Sequence, residues 1–313
     1  MKIITSGASY LDIDAYACCI AYAELLNLQG IPARAVSSAK PNASVSSTVR
    51  GWGNFLHDAA PMPGDEFVLV DVSDYHHFDP MVVLDQVVEV IDHHPGNEDY
   101  WAKKLGLAAD IRPIGAAATQ VFQRWLAADL LHRISQPSAA LLATAILDNT
   151  LNFTSQMTTP ADIDAYADLA PRAKLTKDWP EQYFLECQAS IESDLVGALA
   201  VDLKRMKPES NLPQIFAQMT VWDADALLQK HRTTMSHWMA KQGEDWLLNL
   251  ISIRDRKSCL LAPADVSQQK LNQLLPLDWQ AGMAVLKPSI LRKELLKLGL
   301  GAAGQGAPNS IVQ

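Results

Sequence analysis

The most informative segment of the chain is Val87-Val88-Glu89-Val90-Ile91-Asp92-His93-His94. Its aliphatic residues predict a strand that is buried on both faces, as the strands of parallel sheets are. An acid and two imidazoles directly after such a strand are costly to desolvate unless a charged group lies beside them. Carboxylate oxygen and neutral imidazole nitrogen are common metal ligands, so the stretch indicates a metal ion at the end of the strand. Taken alone, the three polar residues also fit a solvated turn.

Three further apolar segments of the chain end in carboxylates. These are residues 1–5, which run on to Asp12 and Asp14, residues 67–70, which end at Asp71, and residues 139–147, which end at Asp148. In an open α/β sheet, ligands collect outside the carboxyl ends of the strands, so we expect these groups to converge on one crevice. The expected set is Asp12, Asp14, Asp71, His93 and Asp148. So many acidic groups in one place repel each other, which predicts two divalent metal ions as cofactors.

The order of the segments predicts an α/β fold in two domains. Strand-like segments alternate with helix-like stretches up to about residue 172, which predicts a mostly parallel sheet with helices on both faces. A polar stretch at 174–180 is the expected linker. The expected divisions are a metal-binding catalytic domain at 1–175, a smaller α+β substrate-binding domain at 181–300 and a flexible tail at 301–313. We expect the active site in the cleft between the two domains.

The composition is that of an ordinary globular enzyme. The chain has 313 residues, of which 49% are hydrophobic and 19% charged. A formal charge of −9 gives no electrostatic reason to bind a nucleic acid duplex, although metal ions can still attract a small anion. Four cysteines without metal-binding spacing, no evident signal peptide and no apolar run of membrane-spanning length lead us to expect a cytoplasmic protein without a membrane partner.

Taken together, the motifs resemble those of the DHH phosphoesterase superfamily. The resemblance is to the branch that holds manganese-dependent (family II) inorganic pyrophosphatases, exopolyphosphatases and prune-like proteins, whose second domain is of the DHHA2 type. The family has the motifs His-x-x-Pro-Asp-x-Asp, a strand ending in Asp, Asp-His-His and a late Asp. The matching residues here are Asp12 and Asp14, then Asp71, then Asp92-His93-His94, and finally Asp148. The resemblance covers about the first 170 residues well and the rest more thinly.

One departure from the family pattern concerns the first metal site. Ala8 stands where the pyrophosphatases carry a histidine, and Leu11 stands where they carry proline. Exopolyphosphatase-type relatives also lack that histidine. Without the nitrogen donor, the first site is rich in oxygen ligands, and such sites suit magnesium better than softer metals. We therefore expect weaker occupancy of the first site, with Mn²⁺ or Mg²⁺ as the metal.

The resemblance also implies residues that contact the substrate. His94 is implied to face the substrate and donate a hydrogen bond to it, while Asp92 orients an imidazole or anchors the loop. In the second domain, Lys204 and the pair Arg292-Lys293 are implied to bind the phosphates. The match at the pair is looser, because the family string Ser-Arg-Lys-Lys-Gln reads Leu-Arg-Lys-Glu-Leu here. A solvated helix face is the alternative for that pair.

These features predict a metal-dependent phosphohydrolase that cleaves phosphoanhydride bonds of pyrophosphate or short polyphosphate. Two metal ions are expected to activate the attacking water. One alternative is a phosphodiesterase for short oligonucleotides or cyclic dinucleotides, but that branch carries a Gly-Gly-Gly-His element and this chain has no Gly-Gly pair. Another is a catalytically weakened binding protein of the same fold. Pairing into a homodimer is implied by resemblance, and residues 35–61 do not resemble the corresponding pyrophosphatase stretch.

Overall fold

The computed structural model describes residues 1–52, 56, 60–263 and 266–305, which form two compact units. Unit 1 is Met1–Cys187, and unit 2 begins at Gln188. The boundary falls inside a helix, Trp179–Ser193, and the polar stretch 174–180 lies within unit 1. Of the expected tail, residues 301–305 end a helix and residues 306–313 lie outside the described residues. Residues 53–55 and 57–59 of the segment 35–61 also lie outside them.

Unit 1 contains the parallel sheet that the sequence predicts. Its strands are β1 (Lys2–Thr5), β2 (Ala33–Ala35), β3 (Glu66–Val70), β4 (Val87–Asp92) and β5 (Ala109–Ile111). They are all parallel and lie in the order β2-β1-β3-β4-β5. The chain leaves β1 for β2 on one side and returns to β3 on the other. This reversal makes the carboxyl ends of β1 and β3 a topological switch point, where ligand sites of open α/β sheets form.

Seven helices accompany this sheet in the described part of the chain. They are α1 (Ile13–Leu28), α2 (Ser47–Gly51), α3 (Glu98–Leu105), α4 (Ala117–Ala127), α5 (Gln136–Asn149), α6 (Pro160–Ala173) and α7 (Trp179–Ser193), the last continuing into unit 2. Helix α1 is buried on nearly all sides and packs against α4 and α5. Asp148 lies at the end of a helix, α5, as the helix-like stretch 139–147 indicates. The alanine and leucine residues before Asp148 favour a helix. Because α5 is buried on nearly all sides, its sequence lacks the alternation of apolar and polar positions that distinguishes a helix from a strand.

Unit 2 is built on a mixed sheet. Its strands are β6 (Lys204–Arg205), β7 (Ile215–Val221), β8 (Trp246–Ser252), β9 (Lys257–Leu261) and β10 (Met283–Leu286), in the order β10-β9-β8-β7-β6. Only β7 and β8 pair in parallel. Its helices are α8 (Leu195–Asp202), α9 (Ala224–Gln242), α10 (Val266–Leu274) and α11 (Arg292–Gln305). This agrees with the α+β architecture expected for the second part. Among the described residues, no helix combines the length and apolarity that a bilayer crossing requires.

Candidate metal centre

Asp71 follows β3 in a left-handed backbone conformation. Its φ is 56°, and its amide donates to the carbonyl of Ile91 on the neighbouring strand. Few residues other than glycine adopt this conformation, and aspartate is among those that tolerate it. The turn brings Oδ1 of the nearly buried carboxylate within 3.3 Å of His93 Nε2. Carboxylate and imidazole therefore meet at the carboxyl ends of two adjacent strands.

His93 has a ring orientation that suits a metal ligand. Its side chain is almost fully buried, and its Nδ1 lies 3.0 Å from the carbonyl oxygen of Ile114. A carbonyl only accepts, so Nδ1 carries the proton and a neutral ring has its lone pair on Nε2. Nε2 faces Asp71 Oδ1 and, at 4.0 Å, Asp14 Oδ2. A lone pair between two carboxylates is repulsive unless a cation lies among them, so these donor atoms fit a divalent ion.

Asp14 is a fully buried carboxylate in the first turn of α1. Its oxygens accept hydrogen bonds from the amides of Ala117 and Ala118, at 2.9 and 2.8 Å, at the start of α4. A helix N-terminus favours negative charge there. Burial and the neighbouring charge of Asp12 nevertheless raise the pKa of Asp14 to about 7. The ionised carboxylate thus needs more positive charge than the two amides provide, as a bound cation supplies.

Asp12 and Asp148 complete the acidic group. Asp12 caps α1 by accepting from the amide of Ala15 at 3.0 Å, which fixes its position. Asp148 lies at the end of α5, where its Oδ1 accepts from the hydroxyl of Tyr183 at 2.9 Å. Burial raises the pKa of Asp148 to about 7, and repulsion from Asp12 adds to the rise. Asp12 is therefore close enough to interact electrostatically with both Asp14 and Asp148. Within unit 1, His93 Nε2 thus lies within 4.0 Å of the carboxylates of Asp14 and Asp71, and Asp12 interacts electrostatically with Asp14 and Asp148.

Asp92 shapes the turn that carries both histidines. Its Oδ1 accepts from the amides of His93 and His94, at 2.7 and 3.2 Å, and from His94 Nδ1 at 2.8 Å. Burial raises the pKa of Asp92, but its contacts with His94 and His93 lower it by a larger amount. The net pKa therefore lies below its usual value. The His94 side chain is 50% exposed, with Nδ1 on Asp92, so Nε2 is the nitrogen that can meet a ligand. Ligand atoms of Asp71, His93 and His94 lie within 4.8 Å of one another.

A loop whose sequence resembles that of the pyrophosphatases, but to which the sequence assigns no role, contacts two of these residues. Residues 113–119 provide the carbonyl that meets His93 and the amides that meet Asp14. Asp162, fully buried at the start of α6, fixes this loop by accepting from the amide of Gly115 at 3.1 Å and from the hydroxyl of Thr119 at 2.5 Å. It also accepts from the amide and hydroxyl of Thr159, both at 2.7 Å. The pattern Thr-x-x-Asp indicates a helix start, but nothing in it indicates contact with this loop.

Ala8 occupies the position of the missing histidine. Its amide donates to the carbonyl of His77 at 2.9 Å, so the backbone here is attached to the loop that follows β3. The methyl side chain offers no ligand atom. Residue 8 therefore contributes no side-chain donor to this part of unit 1.

The basic residues predicted to bind substrate lie in unit 2. Arg292, at the start of α11, is only 9% exposed and forms a two-point ion pair with Asp202, at 2.8 and 2.9 Å. Its guanidinium also lies over the ring of Phe216, 5.5 Å from the centroid. A solvated helix face is thus wrong for Arg292. Lys204 lies exposed on β6, two residues after Asp202, and Lys293 follows Arg292, so the ion pair holds the two lysine-bearing segments together.

A second acidic group among the described residues has a different character. Asp223, Asp225 and Asp255 bring carboxylate oxygens close together in unit 2. Arg254 pairs with Asp223 at 2.5 Å, and Lys257 pairs with Asp225 at 2.6 Å. Cations of the protein itself already balance this group, which is a surface ion-pair network.

Comparison with known proteins gives a consistent result. No model of a known protein family matches the chain. A Deinococcus radiodurans protein named "Probable manganese-dependent inorganic pyrophosphatase" is 32% identical over 207 residues, which is 62% of this chain and 60% of that protein. The manganese-dependent inorganic pyrophosphatase of Bacillus subtilis is 25% identical over 301 residues, covering 94% of this chain and 96% of that one.

Two solved structures share the fold. A Methanococcus jannaschii protein assigned to the family II inorganic pyrophosphatases superposes with a TM-score of 0.70 at 18% identity, over 97% of this chain and all of that chain. An exopolyphosphatase-related protein from Bacteroides fragilis gives a TM-score of 0.51 at 14% identity, over 97% of this chain and 91% of that chain. The chain is thus a homologue, at modest identity, of proteins named manganese-dependent inorganic pyrophosphatases, and it has the fold of the family II pyrophosphatase structure.

Proposed function

We propose that this protein is a metal-dependent hydrolase that cleaves phosphoanhydride bonds in inorganic pyrophosphate or short polyphosphate. The observation that carries the proposal is the setting of His93. Its Nδ1 is fixed on the carbonyl of Ile114, and its Nε2 faces the carboxylates of Asp14 and Asp71. A buried donor set of this kind is suited to a divalent metal ion. The names of the homologues point to manganese as the metal and pyrophosphate as the substrate.

The proposed metal centre holds two divalent ions. Its ligands are Asp12, Asp14, Asp71, His93 and Asp148. When bound, the ions supply a nucleophilic water near neutral pH and positive charge for the phosphate oxygens. The raised pKa values of Asp14 and Asp148 support this assignment, because bound cations would stabilise both carboxylates in their ionised form. With alanine at position 8, the first site has fewer donors and accepts Mg²⁺ as well as Mn²⁺.

The remaining residues bind and orient the substrate. The imidazolium form of His94, held at Nδ1 by Asp92, donates from Nε2 to a phosphate or leaving-group oxygen. Lys204, Arg292 and Lys293 bind the non-bridging oxygens, which carry most of the charge that develops during phosphoryl transfer. For Arg292 this role is shared with its ion pair to Asp202, so the two lysines carry more of the interaction with substrate.

A phosphate-release assay tests the proposal. Pyrophosphate, tripolyphosphate, long-chain polyphosphate and a dinucleotide are compared with Mn²⁺ and with Mg²⁺. We expect hydrolysis of pyrophosphate or tripolyphosphate, and its loss in His93→Ala. His132→Ala, which removes an exposed imidazole elsewhere in unit 1, is the matched control and retains activity.

Other outcomes of this assay identify the alternatives. Preferential cleavage of the dinucleotide would reassign the protein as a phosphodiesterase. Tight Mn²⁺ binding without release from any substrate would indicate a binding protein that has lost catalysis. Homodimer formation stays a prediction, which sedimentation velocity checks, and a cytoplasmic location stays one as well.

A further inference from the structure

Tyr183 is a fully buried residue of α7 whose hydroxyl lies between two parts of the metal centre. It is 2.9 Å from Oδ1 of Asp148 and 2.8 Å from the carbonyl oxygen of Ser44. We propose that Tyr183 is a positioning residue for the metal centre, which holds Oδ1 of Asp148 and so fixes the orientation in which this carboxylate would bind a metal ion. The inference rests on the proposed function, because it takes Asp148 to be a ligand.

Ser44 extends this contact to the first motif. Its hydroxyl oxygen accepts from the amide of Ile13 at 2.8 Å, and its hydroxyl group donates to Asn42 at 2.6 Å. Ile13 lies between two of the proposed ligands, Asp12 and Asp14. The phenol of Tyr183 is therefore connected through a single residue to the backbone that carries these ligands. The hydroxyl of Tyr183 thus links the proposed ligand on α5 to the proposed ligands at the start of α1.

The position of the phenol is itself fixed by packing. Its ring lies 4.9 Å from that of Phe184 and 5.9 Å from that of Trp179, measured between centroids. The indole N–H of Trp179 donates to the hydroxyl of Thr144 at 3.1 Å, one turn before Asp148 on α5. Two hydrogen bonds four residues apart on each helix therefore hold α7 against α5. Of these two bonds, that of Tyr183 reaches a proposed ligand, whereas that of Trp179 holds the helices together without touching one. A hydrogen bond directly behind a ligand keeps it within the narrow geometry that tight binding requires.

Other contacts of α7 act in the same direction. Glu186, one turn after Tyr183, accepts from the amide and the hydroxyl of Thr48, at 3.0 and 2.6 Å, and from the hydroxyl of Ser46 at 2.8 Å. These bonds fix the segment that follows Ser44. The Ser44 carbonyl is therefore held from both sides and gives the phenol a stationary second partner. The single phenol proton is shared between the Ser44 carbonyl and Oδ1 of Asp148, and this links the ligand on α5 to the segment that carries Ser44.

The test compares two substitutions that each remove one buried hydrogen-bond donor from α7. Tyr183→Phe deletes the hydroxyl and keeps the ring, whereas Trp179→Phe deletes the donor to Thr144 one turn away. Mn²⁺ affinity is measured by calorimetric titration of the apoprotein without substrate, and folding is checked by circular dichroism. We expect Tyr183→Phe to weaken Mn²⁺ binding about 10- to 100-fold, as removal of contacts behind metal ligands does. We expect Trp179→Phe to stay within about twofold of wild type, because it touches no proposed ligand.

A second variant covers the case in which Tyr183→Phe fails to fold. Ser44→Ala removes the acceptor of the Ile13 amide but keeps the carbonyl that Tyr183 contacts, and it should weaken Mn²⁺ binding by a smaller factor. Equal Mn²⁺ affinity of wild type and Tyr183→Phe would overturn the inference and leave the proposed function standing. Equal losses in Tyr183→Phe and Trp179→Phe would also overturn it, because they would show general loosening of α7. Absence of Mn²⁺ binding by the wild type would sink both proposals together.

Discussion

Substitution of Asp162 should loosen the loop that positions two proposed ligands. The side chain is fully buried and accepts four hydrogen bonds. Two of the donors are backbone amides, those of Gly115 and Thr159, and two are the hydroxyls of Thr119 and Thr159. The loop also approaches the carboxylate closely, since a Cβ added to Gly115 would lie 2.6 Å from Asp162 Oδ2.

The structure gives the magnitude for two graded variants. In Asp162→Ala, the hydroxyls can rotate to new partners, but both amides lose theirs, and each buried donor left unsatisfied costs about 1–3 kcal/mol. We expect a loss of about 4 kcal/mol, or roughly 10 °C in Tm for a unit of this size. In Asp162→Asn, the amide oxygen can replace Oδ2 and keep both backbone donors, while its NH₂ group donates to the Thr119 hydroxyl. That variant should lose only about 1 kcal/mol.

The assay is thermal unfolding followed by circular dichroism, in the presence of a chelator so that metal binding does not contribute. Mn²⁺ titration is then a second readout, because residues 113–119 supply the contacts to His93 and Asp14. We expect Asp162→Ala to weaken Mn²⁺ binding more than Asp162→Asn does. If Asp162→Ala is as stable as wild type, or if Asp162→Asn is as unstable as Asp162→Ala, then the unsatisfied amides of Gly115 and Thr159 do not cause the loss of stability.

Three further predictions concern contacts away from the metal ligands. Glu24→Ala removes the carboxylate that accepts from the amide and the hydroxyl of Ser135 at the start of α5. The free energy of unfolding, measured in urea, should fall by about 1–2 kcal/mol. Arg292→Lys breaks the two-point pair with Asp202 and should destabilise the protein by about 2–3 kcal/mol, and an unchanged unfolding midpoint would contradict this. Burial raises the pKa of Asp110, but the nearby Arg112 and Arg124 lower it by a larger amount. The net pKa therefore lies below its usual value of 3.8. Its stabilisation is therefore present above about pH 4 and is lost as the pH falls through the lowered value, and Arg124→Met should weaken that dependence.

Local sequence determined much of the fold of unit 1. The apolar run 87–91 predicts a buried strand from its composition alone, and the acid and imidazoles that follow it predict the ligand-bearing end. The same reasoning placed Asp71 correctly after β3. These inferences depend only on neighbouring residues, because strand formation and the exposure of strand ends are local properties once the sheet is parallel. Asp148 follows a helix-like stretch, so the argument from strand ends did not by itself place it beside the other carboxylates.

Tertiary structure alone decided which residues support the ligands. Asp14 meets the amide of Ala117 across 103 positions of the chain, Asp162 meets Gly115 across 47, and Tyr183 meets Asp148 across 35. No local pattern encodes a hydrogen bond between such distant positions, because the partners become neighbours only when helices and strands pack. Local sequence therefore sets which chemical groups the protein carries and which helix or strand carries each of them. Packing decided which of those groups face each other, because donor and acceptor must come within about 3 Å after the chain has folded.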